Sequence, residues 1–198
     1  MRRASVVSNA LLALVLLFSA CDGSDGGGAE ISGGFGELEV HLTDAPLDLA
    51  TVSSVMVTID SVTVYGGTEL DGTEVPPIEL LTSPDTFDLL TLTGGATTLL
   101  ANGDLPAGFY QRIRLGISAA SLTFLDGTTA DLKIESNKVD VPILFEVSAG
   151  DLMEVVLDFQ ADASVHVTET GNDRYILRPV VTPVSLPGDD PDAEPAAG

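Results

Sequence analysis

An alternation of apolar and polar residues, with a period of two, runs through most of the chain. Leu38, Val40 and Leu42 alternate with polar neighbours, and the same pattern recurs in short segments up to residue 184. Because successive side chains of a strand point to opposite faces of a sheet, this period predicts half-buried strands. Repeated short strands without alternating helices predict an all-β fold, a sandwich or barrel, and not a βαβ fold.

Breaks in the alternation locate the turns and one irregularity. The apolar row that ends at Ile59 resumes at Val62, one residue out of phase, so we predict a bulge at Asp60–Ser61. The later apolar rows that predict strands are Ile113, Leu115 and Ile117; Val141, Ile143, Phe145 and Val147; Met153, Val155, Leu157 and Phe159; and the segment from Tyr175 to Val184. Turns are predicted at Asp71–Gly72, Asp126–Gly127, Ala149–Gly150 and Gly171–Asp173. Only residues 89–100 are compatible with a short helix, which Gly94–Gly95 would interrupt.

The first residues have the features of an export signal. Arg2 and Arg3 precede an apolar run over 10–18, and small residues then lead to Cys21, the only cysteine. The run Phe18-Ser19-Ala20-Cys21 resembles a bacterial lipobox, which implies a diacylglycerol on the Cys21 thiol. The alternative is an ordinary secretory signal and an unused thiol. We expect a signal peptide over 1–20 and a lipidated Cys21 with a flexible Gly/Asp tether over 21–34.

The charge balance restricts the partners. The chain carries 8 basic and 30 acidic residues, a net charge of −22. Removal of residues 1–20 takes away two arginines, which leaves 6 basic against 30 acidic residues and hence −24. Such a field repels nucleic acid, so no nucleic-acid partner is expected. The tail over 187–198 is acidic and proline-rich, and we expect it to be disordered.

Several segments, taken in order, resemble a family of bacterial and archaeal lipoproteins known as domain of unknown function 4382. These segments are Gly36–Pro46, Val55–Ile59, Phe87–Leu92, Leu105–Leu115, Val156–Phe159 with Ser164–His166, and Tyr175–Pro179. The resemblance implies a β-sandwich of the transthyretin-like sort, with no established activity and no established site residues. The fold prediction is therefore a single, mostly antiparallel β-sandwich of immunoglobulin/transthyretin-like type over 35–186, with at most one short helix.

Two aspartates after the first strand form a candidate metal site. Asp44 and Asp48 flank Pro46 and are predicted as calcium ligands, with Asp158 or Asp162 as a further oxygen donor. The alternative is that Asp44 accepts backbone hydrogen bonds in a turn. No other cofactor is expected.

Arg112 and Arg114 form a candidate ligand site because they share one face of a predicted strand. Guanidinium groups bind carboxylate or sulfate groups through two parallel hydrogen bonds. The alternative is that both pair with acidic residues across strands. His41 and His166 are expected to be independent of each other, and a shared zinc ion is disfavoured.

No residue set has the pattern of a catalytic site, so we expect a protein that is not an enzyme. Nucleophilic catalysis needs a base next to a serine or cysteine, and no such motif occurs. The expected function is a non-catalytic, lipid-anchored binding or scaffolding module of the bacterial cell envelope, in the outer membrane or at the cell surface. Its partner would be a carbohydrate or an envelope protein. The alternatives are an accessory subunit of a surface assembly and a hydrolase with a carboxylate pair.

The lipid prediction is tested by replacing its attachment residue. Acyl chains stabilise membrane binding by about 0.8 kcal/mol per buried methylene, so Cys21→Ala should abolish partition into the detergent phase. Phase separation with nonionic detergent, followed by immunoblotting, measures this. An unchanged partition of the variant, or a wild-type protein found in the aqueous phase, would contradict the prediction.

Overall fold

Strands make up most of the described part of the chain, which comprises residues 34–44, 51–66, 76–167 and 175–184 of a computed structural model. Several sequence predictions lie outside these ranges: Cys21, Asp48, the signal peptide, nearly all of the tether, the tail over 187–198, and the turns at Asp71–Gly72 and Gly171–Asp173.

The first sheet has four strands in the order β13-β10-β1-β5. Their bounds are β1 Phe35–Thr43, β5 Thr98–Pro106, β10 Leu152–Phe159 and β13 Val181–Pro183. β1 runs parallel to β10, whereas β1–β5 and β10–β13 are antiparallel. The predicted apolar row of β1 is fully buried, so this face of the sheet lies against the core.

The second sheet has six strands around a long central pair. β2 (Val52–Gly66) and β6 (Gly108–Phe124) are antiparallel along almost their whole length. The strands beside them are β3 Ile78–Leu81 and β4 Asp85–Asp88 along β2, and β7 Thr129–Asp131 and β9 Lys138–Val147 along β6. A small third sheet contains β8 Lys133–Ile134, β11 Val165–Val167 and β12 Tyr175–Leu177.

The predicted bulge in β2 is confirmed. Ile59 pairs with Ile117 and Ser61 pairs with Gly116, so Asp60 is an extra residue in the ladder. The insertion returns Val62 to the buried face, as the out-of-phase apolar row required. A Cβ atom on Gly116 would collide with the side chains of Asp60 and Ser61, which explains why a glycine lies opposite the bulge.

The inward faces of the two large sheets share one hydrophobic core. Tyr110 of β6 is buried there and stacks on Phe145 of β9 with ring centroids 5.4 Å apart. Its hydroxyl donates a hydrogen bond of 2.7 Å to the Pro106 carbonyl, which satisfies one polar group inside the core. The prediction of an all-β, sandwich-like, mostly antiparallel fold is confirmed.

Turns and short helices agree with the sequence in part. The Asp126–Gly127 turn forms, because the Asp126 carboxylate accepts the Thr128 N–H at 2.9 Å and Gly127 adopts a φ of +83°. Within 89–100, a turn of 3-10 helix covers Leu89–Leu92 and ends before Gly94. A four-residue helix, α1 (Ala161–Ser164), was not predicted, because it is too short to show a helical period.

The last predicted strand is two strands. β12 and β13 are separated by residues 178–180, so Pro179 lies in a connection. β13 lies at the edge of the first sheet, which agrees with the position expected for Pro183. In the described part of the chain, no helix has the length and apolar character to cross a membrane.

Gly36 provides a test of packing at the start of β1. A Cβ atom there would lie 2.3 Å from the Ser148 carbonyl oxygen, a backbone atom that cannot rotate away. Gly36→Ala should therefore lower the free energy of unfolding by about 1–3 kcal/mol. The matched control is Gly103→Ala in β5, where the new methyl meets only a Leu80 methyl at 3.0 Å. Urea unfolding compares the two variants, and equal losses would contradict this packing.

Candidate functional site

Asp44 lies directly after β1 and is buried, with 3% of its surface exposed. Its Oδ1 accepts a hydrogen bond of 2.9 Å from the Ala161 backbone N–H, at the start of α1. Its own N–H donates to the Leu92 carbonyl at 3.2 Å. The carboxylate thus links the end of β1 to α1, a partner far away in the sequence. Residues 45–50 lie outside the described ranges, so the local turn contact of Asp44 stays a prediction.

The predicted calcium ligands are partly brought together. β1 and β10 are parallel, so their carboxyl ends meet at one edge of the first sheet. Asp158 of β10 pairs with Thr43, the residue before Asp44. Asp162 lies in α1, where its Oδ1 accepts the Ala163 N–H at 2.7 Å. Within the described ranges, no three His, Cys, Asp or Glu side chains are arranged to hold a metal ion. Asp48 lies outside those ranges, and calcium binding stays a prediction.

Arg112 and Arg114 lie on the outer face of the second sheet, as predicted. Arg114 pairs with Asp140 of β9 through two hydrogen bonds, Nε to Oδ1 at 2.8 Å and Nη2 to Oδ2 at 2.9 Å. Its third nitrogen, Nη1, donates to the Tyr65 hydroxyl at 3.0 Å. Cross-strand pairing, one of the two alternatives, is therefore observed for Arg114.

Arg112 has a different environment. Its guanidinium carbon lies 3.9 Å from the centroid of the Tyr65 ring, a cation–π contact. Its Nε lies 3.5 Å from Asp140 Oδ1, within an ion pair, but has no hydrogen-bond acceptor among the described residues. The side chain is 37% exposed, so its terminal amino groups are accessible from outside.

The surroundings of these arginines are aromatic and apolar. Phe109 is 61% exposed and Leu144 is 74% exposed. Leu144 alternates in phase with Asp140 along β9, and the irregularity of β6 between Tyr110 and Arg112 brings Phe109 to the face that carries the two arginines. We call this surface the arginine face; its residues are Tyr65, Phe109, Arg112, Arg114, Lys138, Asp140 and Leu144. Contiguous exposed apolar side chains next to charged groups are typical of binding surfaces.

The ionisation of the arginine face is fixed by its ion pair. The hydrogen bonds from Arg114 hold the pKa of Asp140 below its ordinary value, and Arg112 and Lys138 act in the same direction. The same pair raises the pKa of Arg114. Because the folded pKa of Asp140 is lowered, the pair stabilises the protein above the ordinary aspartate range and weakens as pH falls through the folded value.

The outer face of the first sheet carries the opposite charge. Register places Glu37 opposite Asp104 and Glu39 opposite Glu154, and we call this surface the acidic face. His41 lies among these carboxylates, with Nε2 3.0 Å from Glu39 Oε2. At the amino end of β1, a cleft of about 240 Å³ is lined by Phe35, Gly36, Glu37, Asp104, Gly150, Asp151 and Leu152. His166 lies in the third sheet and not beside His41.

Five residues of the arginine face were not predicted from the sequence: Tyr65, Phe109, Lys138, Asp140 and Leu144. The apolar/polar alternation of the sequence places Tyr65 and Asp140 at outward positions of their strands. Their proximity to the arginines, however, depends on the register of three strands. One sequence feature indicated this surface: Leu144 is an apolar residue at an outward position, between the inward Ile143 and Phe145, which are buried.

Asp44 can be tested as a hydrogen-bond acceptor and as a calcium ligand. Asp44→Ala leaves the buried Ala161 N–H without its acceptor, so the free energy of unfolding should fall by about 1–3 kcal/mol, and Asp44→Asn, which keeps an oxygen, should cost less.

If calcium binds, millimolar Ca²⁺ should raise the wild-type melting temperature more than equal Mg²⁺ does, and this difference should vanish in Asp44→Asn. The control is Asp131→Asn, at an exposed residue of β7 that is not a predicted calcium ligand. Equal responses to the two ions would leave Asp44 as an acceptor only.

Comparison with known proteins gave one match. The family model described as Domain of unknown function (DUF4382) matches residues 35–179. No curated protein and no solved structure matched the chain. The family match begins at the first residue of β1 and ends between β12 and β13, so it includes Asp44 and the whole arginine face. Because it covers well over half of the sequence, the chain belongs to the family of the Domain of unknown function (DUF4382).

Proposed function

We propose that this protein is a non-catalytic binding module of the bacterial cell envelope, anchored by a lipid at Cys21 in the outer membrane or at the cell surface. Its binding surface is the arginine face. The partner is an envelope carbohydrate or an envelope protein, and the net charge of −22 disfavours nucleic acid.

One observation carries this proposal: the arginine face combines an accessible guanidinium with exposed apolar side chains on the outer surface of a sheet. Arg112 lies over Tyr65, and Phe109 and Leu144 project from the same face. Aromatic and arginine side chains supply most of the binding energy at many protein surfaces. A sheet face with both apolar and charged side chains fits an extended partner that lies across the strands.

The tether supports the same function. Residues 21–34 are rich in glycine and contain Asp22, Asp25 and Glu30. A flexible chain of this length has an end-to-end distance of about 20 Å, so the domain would remain close to the bilayer and free to rotate.

Assembly by strand addition, the second expectation, has less support. Among the described residues, β9 of the second sheet pairs with β6 and with no other strand. It carries Pro142, which has no N–H to donate, and Lys138 near its start. Prolines and lysines are the residues that protect sheet edges from pairing with other chains.

The proposal is tested by binding measurements on the full chain in detergent. A glycan array and purified envelope proteins are probed with the wild type and with the double variant Phe109→Ser/Leu144→Ser. We expect binding to fall about tenfold or more, because two apolar contacts are lost.

The matched control is Leu125→Ser, since Leu125 is 70% exposed and follows the other end of β6. It should bind as the wild type does. Loss of binding in the control, no binding to either class of partner, or turnover of a hydrolase substrate would contradict the proposal.

A further inference from the structure

The arginine face contains a chain of contacts that assigns different roles to its two arginines. Asp140 holds Arg114 with two hydrogen bonds of 2.8 and 2.9 Å. Arg114 in turn donates from Nη1 to the Tyr65 hydroxyl at 3.0 Å. All three nitrogens of Arg114 are therefore engaged within the protein, so this side chain has little capacity left for a ligand.

Tyr65 contacts both arginines, and through it Arg114 also restrains Arg112. The hydrogen bond from Arg114 restrains the Tyr65 ring, and the ring supports the Arg112 guanidinium at 3.9 Å from its centroid. The Nε of Arg112 faces Asp140 at 3.5 Å, so the opposite edge of the guanidinium points away from the ion pair. A guanidinium held over a ring loses little rotational freedom when it binds a planar anion.

Local charge favours an anion at this position. The described basic residues are Arg112, Arg114, Lys133, Lys138 and Arg178. Three of these five lie around Asp140 on the arginine face, since Arg112, Arg114 and Lys138 all lower its pKa. Two carboxylates, Asp140 and the exposed Glu146 of β9, lie on the same face, so three basic side chains are present beside two acidic ones. On a protein whose net charge is −22, this face is therefore much less acidic than the protein as a whole, which favours an anionic partner here.

We propose that Arg112 binds the carboxylate of an acidic polysaccharide, with Asp140, Arg114 and Tyr65 as positioning residues. The inference rests on the proposed binding function and names its ligand. A carboxylate matches the two parallel donors of a guanidinium. A sugar ring packs its C–H groups against apolar side chains, which the exposed Phe109 and Leu144 provide on the same face. A peptide would instead require a groove or an open strand edge, and β9 carries Pro142.

The test measures binding of the full chain in detergent to alginate oligosaccharides, a polyuronate, by isothermal titration calorimetry. Carboxyl-reduced alginate is the neutral comparison, and polyglutamate is the acidic peptide comparison. We expect binding to alginate alone, with an affinity that falls as salt is added. Arg112→Gln should weaken binding about tenfold or more, and Arg112→Lys should weaken it several-fold, because the charge remains and the paired donors are lost.

The control for net charge is Arg178→Gln. Arg178 pairs with Glu135 after β12, through Nε to Oε2 at 2.6 Å, so its loss changes the charge equally at another place. It should leave alginate affinity within about twofold of the wild type. Equal weakening by Arg178→Gln and Arg112→Gln would overturn the proposal, because net charge alone would then explain the effect.

The positioning residues are tested at Asp140. Asp140→Asn should weaken alginate binding, and Asp140→Glu, which restores the carboxylate, should recover much of it while both variants keep similar melting temperatures. A loss that follows melting temperature would reduce Asp140 to a structural residue and overturn its role.

The remaining outcomes separate this inference from the proposed function. Binding of carboxyl-reduced alginate that depends on Phe109 and Leu144, but not on Arg112, would overturn the inference and leave the proposed function intact. Stronger binding of polyglutamate would replace the polysaccharide with an acidic peptide. Absence of binding to alginate, when other glycans or envelope proteins bind, would overturn the inference alone.

Discussion

The parallel pairing of β1 with β10 is the contact on which the remaining architecture depends. Residues 37–43 pair with 152–158, so formation of this ladder closes a loop that contains the whole second sheet. Loop closure of this kind is entropically unfavourable and must be offset by burial on the inner face. β1 also pairs with β5 on its other side, which makes it a central strand. A defect in β1 would therefore affect the first sheet as a whole.

The same pairing determines where polar side chains meet. Because the two strands point the same way, their carboxyl ends leave the sheet together, and Asp44 can reach the Ala161 N–H at 2.9 Å. Their amino ends also coincide, and this places Phe35 and Leu152 on the cleft that Glu37 and Asp151 line. One register thus positions both the buried carboxylate at one end of the sheet and the acidic cleft at the other.

The two outer faces of the sandwich differ because their cross-strand partners differ. On the acidic face, like charges oppose each other at Glu37–Asp104 and Glu39–Glu154, which is unfavourable for stability. On the arginine face, Arg114 opposes Asp140 in register, and the two form a paired hydrogen bond. Composition alone predicts an acidic surface. The separation of charge onto two faces arises from strand order, which composition does not contain.

Much of the fold could be predicted from the sequence, because alternation and turn chemistry act over a few residues. The phase shift between Ile59 and Val62 predicted the bulge, and Asp126–Gly127 predicted its turn. Contacts between distant segments could not be predicted in this way. The acceptor role of Asp44 depends on α1, which lies 117 residues away. The Tyr65–Arg114 and Arg114–Asp140 contacts span 49 and 26 residues, and each depends on the pairing of two strands.

The position of β1 has a mechanical consequence. β1 begins at Phe35, directly after the segment that we propose to be lipid-anchored, and it has hydrogen-bonded neighbours on both sides. Tension between the anchor and a partner held on the second sheet would pull β1 along its own axis. The ladders to β5 and β10 would then be loaded in shear, with their hydrogen bonds sharing the force instead of breaking one after another. We therefore expect β1 to stay paired with β5 and β10 when a force acts on a partner bound to the second sheet.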